Sequence, residues 1–325
     1  MAFSIRECGI GIIDLEIRAS IMTAVDPEHP AVASDLQHEL AARPAKCQLH
    51  LLIGELDGKP VGEAGVGNSA FSYDPRKFEI RVNVLPEARG RGFGAALYDA
   101  AAQMVADVHP ISFRTYVRED RPEALRFAQV RGFEEKMREW ESALDMETYD
   151  ESQFAHFAEK AAGFGITIKS ARELAEEGFS DWQLQIHAVE MQTLVDVPFS
   201  DTFTPLEFDD WRRMALESPH FLPDAFFVAL HGDKMVGTSA LWRGNRQGTL
   251  ETGLTGVLRE YRRMGIALAL KLNALAYAKR AGIAEVRTDN ATTNRPMLSI
   301  NEMLGFEKRP AFISLTKTVE PDIDG

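Results

Sequence analysis

Two cysteines, Cys8 and Cys47, are all that the 325 residues hold, and neither stands at a CxxC or Cys/His spacing. That scarcity excludes a disulfide framework and a cysteine-built zinc site, and it fits reduced thiols in a cytoplasmic protein. Positive charge is also short, with 36 Lys and Arg against 49 Asp and Glu and a formal charge of -13. Such a balance repels phosphate backbones and draws cationic small molecules, so no nucleic-acid partner is expected. No segment reaches the roughly 18 charge-free apolar residues needed to span a bilayer, so no membrane partner is expected either. The opening "MAFSIRECGIGIIDLEIRAS" carries charge at Arg6, Glu7 and Asp14 and lacks a small-residue cleavage site, so a secretion signal is not expected there. His187, His220 and His231 have no carboxylate or Cys partner at ligand spacing, which leaves no metal site in view.

What the chain does have is apolar content, 45% of its residues, and an internal repeat. An offset of 173 positions carries Val84 to Val257, Arg89 to Arg262, Gly92 to Gly265, Gly132 to Gly305 and Phe133 to Phe306. Upstream, "LLIGELDGKPVGEAGV" resembles "FFVALHGDKMVGTSAL" at an offset of 175, so a small insertion or deletion follows each "VG". A unit this long is a duplicated domain rather than a solenoid repeat. Each copy predicts the same order of elements. Helices open it ("DLQHELAARP", "WQLQIHAVEMQTL"), and a β-hairpin with an Asp/Gly/Lys turn follows. Next come a strand ("FEIRVNVL", "LETGLTGVL"), an Arg/Gly loop and a helix, then a strand ("AEVRTDN" in the second copy) and a short helix ending at Gly132 or Gly305. The polar, mildly helical stretch 149–165 reads as a connection between domains at 1–148 and 166–325.

The loops "EARGRGFGAAL" and "EYRRMGIALAL" carry the chemistry. A strand-to-helix loop aims the helix's first unpaired N–H groups outward, and glycine lets a ligand approach that backbone, which together make a pyrophosphate cradle. A P-loop would need Gly-Lys-Ser/Thr, which neither copy has. A dinucleotide GxGxxG should come directly off its strand, whereas here Pro86 and three more residues intervene before Gly90. Arg-x-x-Gly-x-Gly/Ala is the pattern that remains.

"VNVLPEARGRGFGAAL" and "TGVLREYRRMGIALAL" resemble the acetyl-CoA signature of the GNAT superfamily of N-acetyltransferases, and "NRPMLSINEMLGF" resembles that family's final Asn…Gly-Phe motif. The likeness covers residues 45–135 and 220–310. It implies an α/β (α+β) chain of two tandem GNAT domains, each a mixed, mostly antiparallel sheet flanked by helices, similar in arrangement to mycothiol synthase. It also implies acetyl-CoA as cosubstrate. On this resemblance Gly256, Val257 and Leu258 lie along the acetyl arm, and the amides of Arg263, Met264, Gly265, Ile266 and Ala267 hold the pyrophosphate, with Arg262 and Arg263 as screening charge. Asn294 contacts the coenzyme arm. In the first copy Val82, Val84, Arg89, Gly92 and Gly94 match, but Arg121 stands where the second copy has Asn294.

Acetyl transfer to an alkylamine of pKa about 10 requires removal of a proton, about 4 kcal/mol uphill at neutral pH, so a carboxylate within reach is the useful device. Glu251 matches the family's general-base position; six residues before Val257, it should share that residue's face on a regular strand. The first copy offers Phe78 there, with Glu79 facing the other way. The family's acidic tyrosine is replaced by Asn301 and, in the first copy, by Ala128. An Asn301 amide can hydrogen-bond the leaving sulfur, and Ser299 or a water could substitute. Trp182 and Trp211 read as core residues of the entry helices. Asp196 and Asp201 either suit a cationic acceptor or are solvated loop acids. The expected function is acetyl-CoA-dependent N-acetylation of a primary amine on a small, cationic molecule, catalysed by the second domain beside a degenerate first. A protein or peptide N-acetyltransferase and a non-catalytic acetyl-CoA sensor are the alternatives.

Overall fold

Asp57 and Gly58, both at positive φ (50° and 76°), turn strand β2 (Leu49–Leu56) back onto β3 (Lys59–Gly67) in a two-residue hairpin. Gly232, at φ 61°, opens the matching turn between β8 (Phe226–His231) and β9 (Lys234–Arg243). The computed structural model describes residues 2–319 and divides into two units.

The first unit is formed by residues up to Arg138, Ser200–Thr204 and the stretch from Phe312. Its strands lie in the order β1 (Phe3–Glu7), β2, β3, β4 (Lys77–Val84), β5 (Ser112–Arg118) and β13 (Phe312–Thr318). Every neighbouring pair is antiparallel except the parallel β4–β5. Helices α1 (Ile12–Val25), α2 (Ala33–Ala42), α3 (Phe93–Gln103) and α4 (Pro122–Gln129) flank this sheet. The core joins Leu52, Val66, Phe78 and Ile80 to Leu97 and Tyr98 of α3 and to Ile313 and Leu315 of β13.

The second unit holds Glu139–Phe199 and Pro205–Ala311. Its order is β7 (Ile166–Ser170), β8, β9, β10 (Thr249–Val257), β11 (Glu285–Ala291), then residues 139–145 of β6 (Glu134–Asp145), with β12 (Glu307–Lys308) also paired to β6. Only β10–β11 is parallel. The helices are α5 (Ala155–Ala162), α6 (Ala171–Glu176), α7 (Trp182–Leu194), α8 (Phe208–Ala215), α9 (Ile266–Arg280) and α10 (Arg295–Leu304). A Ser170/Glu173 capping box starts α6, and Gly305 at φ 91° ends α10. Leu270 of α9 is fully buried against β9 and β10, so truncating it to alanine should cost about 2–5 kcal/mol.

In each repeat a short strand, β1 or β7, stands ahead of the helices that were expected to open it. β1 and β7 have only five residues each, too few for alternation to stand out in the sequence. The stretch 149–165 contains α5, whose Ala161 is buried and whose Phe157 packs on the second unit's core. The strand that ends the second repeat, β13, sits beside β5, and residues 139–145 of the first repeat sit beside β11.

Candidate active site

The two central strands part in each unit. β10 pairs with β11 only over Thr249–Glu251, while it stays beside β9 up to Val257; β4 likewise meets β5 only over Lys77–Glu79. Beyond those residues one edge of β10 and of β4 has no strand beside it among the described residues, so an extended ligand arm can be hydrogen-bonded there.

The copies differ within the cleft. The β9–β10 register slips by one residue between Thr252 and Thr255, whereas β3–β4 pairs without a break. This bulge overturns two expectations. One extra residue means that Glu251 and Val257 face opposite sides of the sheet. Glu251 shares a face with its cross-strand partner Trp242, while Val257 and Leu270 both lie against the place where a Gly237 side chain would project. The counterpart of Glu251 is also Glu79 rather than Phe78. Glu79 is the last residue paired with β5, opposite Arg114, just as Glu251 is the last paired with β11, opposite Arg287; Phe78 is 2% exposed and in the core.

The two carboxylates have different fates. Arg114 Nη2 donates to Glu79 Oε1 at 2.6 Å and also to Ser72 Oγ at 2.8 Å. Arg287 turns instead to Glu141 Oε1 at 3.2 Å and Glu285 Oε1 at 2.6 Å, both within the sheet. Glu251 is exposed and has no ion-pair partner among the described residues. Trp242 stands next to it with its ring 6.0 Å from Phe221, and a Cβ on Gly253 would come within 2.1 Å of Trp242 Nε1, so the indole lies across the bulge.

Past the strand, a short 3₁₀ turn (Arg259–Tyr261, Pro86–Ala88) leads into the loop. Arg262 Nε donates to Val257 O, and Arg89 Nε to Val84 O, each at 3.0 Å. The next residue is left-handed in both copies, Gly90 at φ 73° and Arg263 at φ 69°, and so is the N-cap, Gly92 or Gly265 at φ 83°. Neither α3 nor α9 has a side-chain cap, so their leading N–H groups are open to an anion. A cradle of uncapped amides after a splayed strand fits the diphosphate and the extended arm of a coenzyme A.

Several of the expected site residues already have partners within the fold. Leu258 N donates to Val236 O and Leu258 O accepts from Tyr261 N, both at 2.9 Å, so its backbone is already engaged. Gly256 is covered by α7, because a Cβ there would sit 2.4 Å from Thr193 Oγ1. Arg262 and Arg259 both clamp Asp196, and these bonds, Arg259's first, hold the carboxyl well below the usual range. Lys77 pairs with Asp201 at 2.9 Å in the first unit, so neither acid stands unpaired to meet a cationic acceptor. Asn294 Oδ1 caps α10 at Met297 N (3.4 Å), and Arg121, at the matching N-cap, lies 3.9 Å from Asp26 Oδ1. Asn301 is 2% exposed and donates to Asn290 Oδ1 at 2.6 Å, so it is a buried tether; its Oδ1 and the Thr238 hydroxyl are buried with no hydrogen-bond partner among the described residues. Val82 packs on the first unit's core, and a Cβ on Gly94 would lie in ordinary contact with Phe127 and Val84, so this position tolerates an alanine such as the second copy's Ala267.

Sequence reading missed Glu190 of α7. It is buried, accepts from Trp211 Nε1 at 2.8 Å, and is pushed up to about 7 by desolvation. A lone acid on an entry helix gives no sequence signal. His187 Nε2 lies 2.8 Å from Leu206 O and His220 Nδ1 2.6 Å from Arg243 O, both structural contacts. Among the described residues no group of three or more His, Cys, Asp or Glu is arranged to hold a metal, and no helix is long and apolar enough to cross a membrane.

Residues 15–133 and 188–306 each match the family model described as Acetyltransferase (GNAT) family. The chain is 31% identical over 90 residues to N-alpha-acetyltransferase 30 of Schizosaccharomyces pombe, covering 27% of this chain and 60% of that protein. It is 24% identical over 242 residues to a mycothiol acetyltransferase of Nocardioides sp., covering 70% of this chain and 76% of that one. Among solved structures, a tandem GNAT protein from the clavulanic acid biosynthesis pathway superposes with a TM-score of 0.77 at 17% identity, over 99% of this chain and 100% of that chain.

Proposed function

The chain belongs to the Acetyltransferase (GNAT) family, and from that premise we propose that it transfers the acetyl group of acetyl-CoA to a primary amine on a small, cationic molecule, in its second unit. The observation that carries the reading is the unequal fate of two equivalent carboxylates, Glu79 held by Arg114 and Glu251 without an ion-pair partner among the described residues, where β10 and β11 begin to part. Bound coenzyme supplies the thioester. The amides from Arg263 to Ala267 hold its phosphates, and the open edge of Thr252–Val257 orients the arm. Glu251 takes the ammonium proton, directly or through water, so that the neutral amine can attack. A carboxylate beside the Trp242 indole suits a cationic amine, since ring face and acid both attract it. No residue is assigned as acid: Asn301 is tied to Asn290, and a thiolate of pKa about 8.5 can leave without full protonation.

Similarity to a mycothiol acetyltransferase supports a small acceptor, whereas similarity to N-alpha-acetyltransferase 30 favours a second reading, a peptide α-amine. The test is thiol release on a panel of polyamines, amino sugars, amino acids and short peptides, with Glu251→Gln alongside. We expect kcat to fall roughly 10²-fold at neutral pH and to recover partly as pH rises, with acetyl-CoA affinity unchanged. An unchanged kcat across pH removes Glu251 from the reaction.

A further inference from the structure

Lys160, on helix α5, lies across the N-cap of α9. An ideal Cβ at Gly265 would meet Lys160 Cβ, Cγ and Cδ at 3.8, 3.6 and 3.4 Å, so the side chain closes on the cradle toward its charged end. At the matching N-cap of the first unit, a Cβ on Gly92 would meet no described atom within 4 Å. The elements around Lys160 pack on the second unit. Ala161 is buried in the second unit's core, Phe154 and Phe157 pack against it, Tyr149 stacks on Phe154 at 5.9 Å, and Lys279 Nζ donates to Tyr149 O at 2.6 Å.

A cation placed at a helix N-terminus is on the wrong side of the helix dipole, and the uncapped amides of α9 offer it no acceptor. Lys160 is exposed, and no described carboxylate pairs with it. An anion between the amides and the ammonium removes the mismatch by satisfying both. The stretch that joins the two repeats thus brings a charge to the second cradle that the repeat itself does not encode.

We infer that Lys160 is a coenzyme-binding residue of the second unit, its ammonium closing over the diphosphate held by the α9 amides. This rests on the placement of acetyl-CoA in that unit. The test is calorimetric titration of the full chain with acetyl-CoA and with S-acetylpantetheine, which has no diphosphate, at low and moderate salt. Lys160→Ala should weaken acetyl-CoA binding about 3- to 10-fold and flatten its salt dependence, while leaving acetylpantetheine binding alone. Lys160→Arg should restore both. Unchanged acetyl-CoA affinity and salt slope in Lys160→Ala, or tighter binding because the stem merely obstructs the cradle, overturns the inference. Gly265→Val separates the two failures. If it abolishes binding while Lys160→Ala does nothing, only the role of Lys160 falls; if neither variant affects binding, the coenzyme does not sit there at all.

Discussion

Arg262 Nε donates to the carbonyl oxygen of Val257, five residues back, at 3.0 Å. Arg89 holds Val84 at the same distance in the first unit, so the repeated arginine fastens the end of the splayed strand to the loop that follows. In the second unit Arg262 also clamps Asp196, which a lysine's single ammonium could not do while holding Val257.

Arg262→Ala should therefore lower stability by about 1–2 kcal/mol at pH 7. Part of that loss is electrostatic and follows the Asp196 carboxyl, which Arg259 and Arg262 hold below its ordinary range. A depressed acid stabilises the fold above its unfolded pKa and loses that contribution as pH falls, so the gap between wild type and variant should narrow below about pH 4. Denaturant titrations at pH 7 and pH 3 measure it; a gap that widens at pH 3 contradicts the clamp.

Gly92 and Gly265 share a left-handed backbone, so valine at either is strained by roughly 1–3 kcal/mol whatever the site does. Their catalytic consequences should differ. Gly265→Val should abolish turnover, and Gly92→Val should leave most of it while reducing stability or coenzyme stoichiometry. If Gly92→Val kills activity in a protein that folds and still binds one acetyl-CoA, catalysis belongs to the first unit.

Buried Glu190, raised to about 7 by desolvation, binds a proton in the folded state that the unfolded chain releases near pH 4.5. Stability from this group should then fall as pH rises from about 4.5 to 7. Glu190→Gln keeps an oxygen to accept from Trp211 and removes that slope, gaining on the order of 2–3 kcal/mol above pH 7. Equal pH profiles for wild type and variant would show that Glu190 ionises freely in the fold.

Lys271 of α9 is 3% exposed, with its ammonium 5.4 Å from the Phe306 ring centre, and burial lowers it to about 8. A cation whose pKa is depressed by folding costs stability below its folded pKa, and that cost disappears as pH rises toward the unfolded value near 10.5. The first unit places Tyr98 at the matching position. Lys271→Met should raise the melting temperature at pH 7 by several degrees, and less at pH 9.5. A lower melting temperature at pH 7 would mean that the contact with Phe306 outweighs desolvation.

The sequence alone determined the duplication, the order of hairpin, strand, loop and helix in each copy, and the loop's chemistry. All of these rest on local physics, such as Gly265 tolerating φ 83° and Asp57-Gly58 closing a hairpin. The tertiary structure decided what depends on pairing between distant residues. A one-residue bulge between Thr252 and Thr255 changed which face Glu251 takes and made Glu79 its counterpart. Whether Arg114 or Arg287 neutralises its neighbouring carboxylate turned on Glu141 and Glu285, which compete for Arg287. Likewise β13 joined β5, and 139–145 joined β11, because strand periodicity fixes which side chains share a face but not which strand lies alongside.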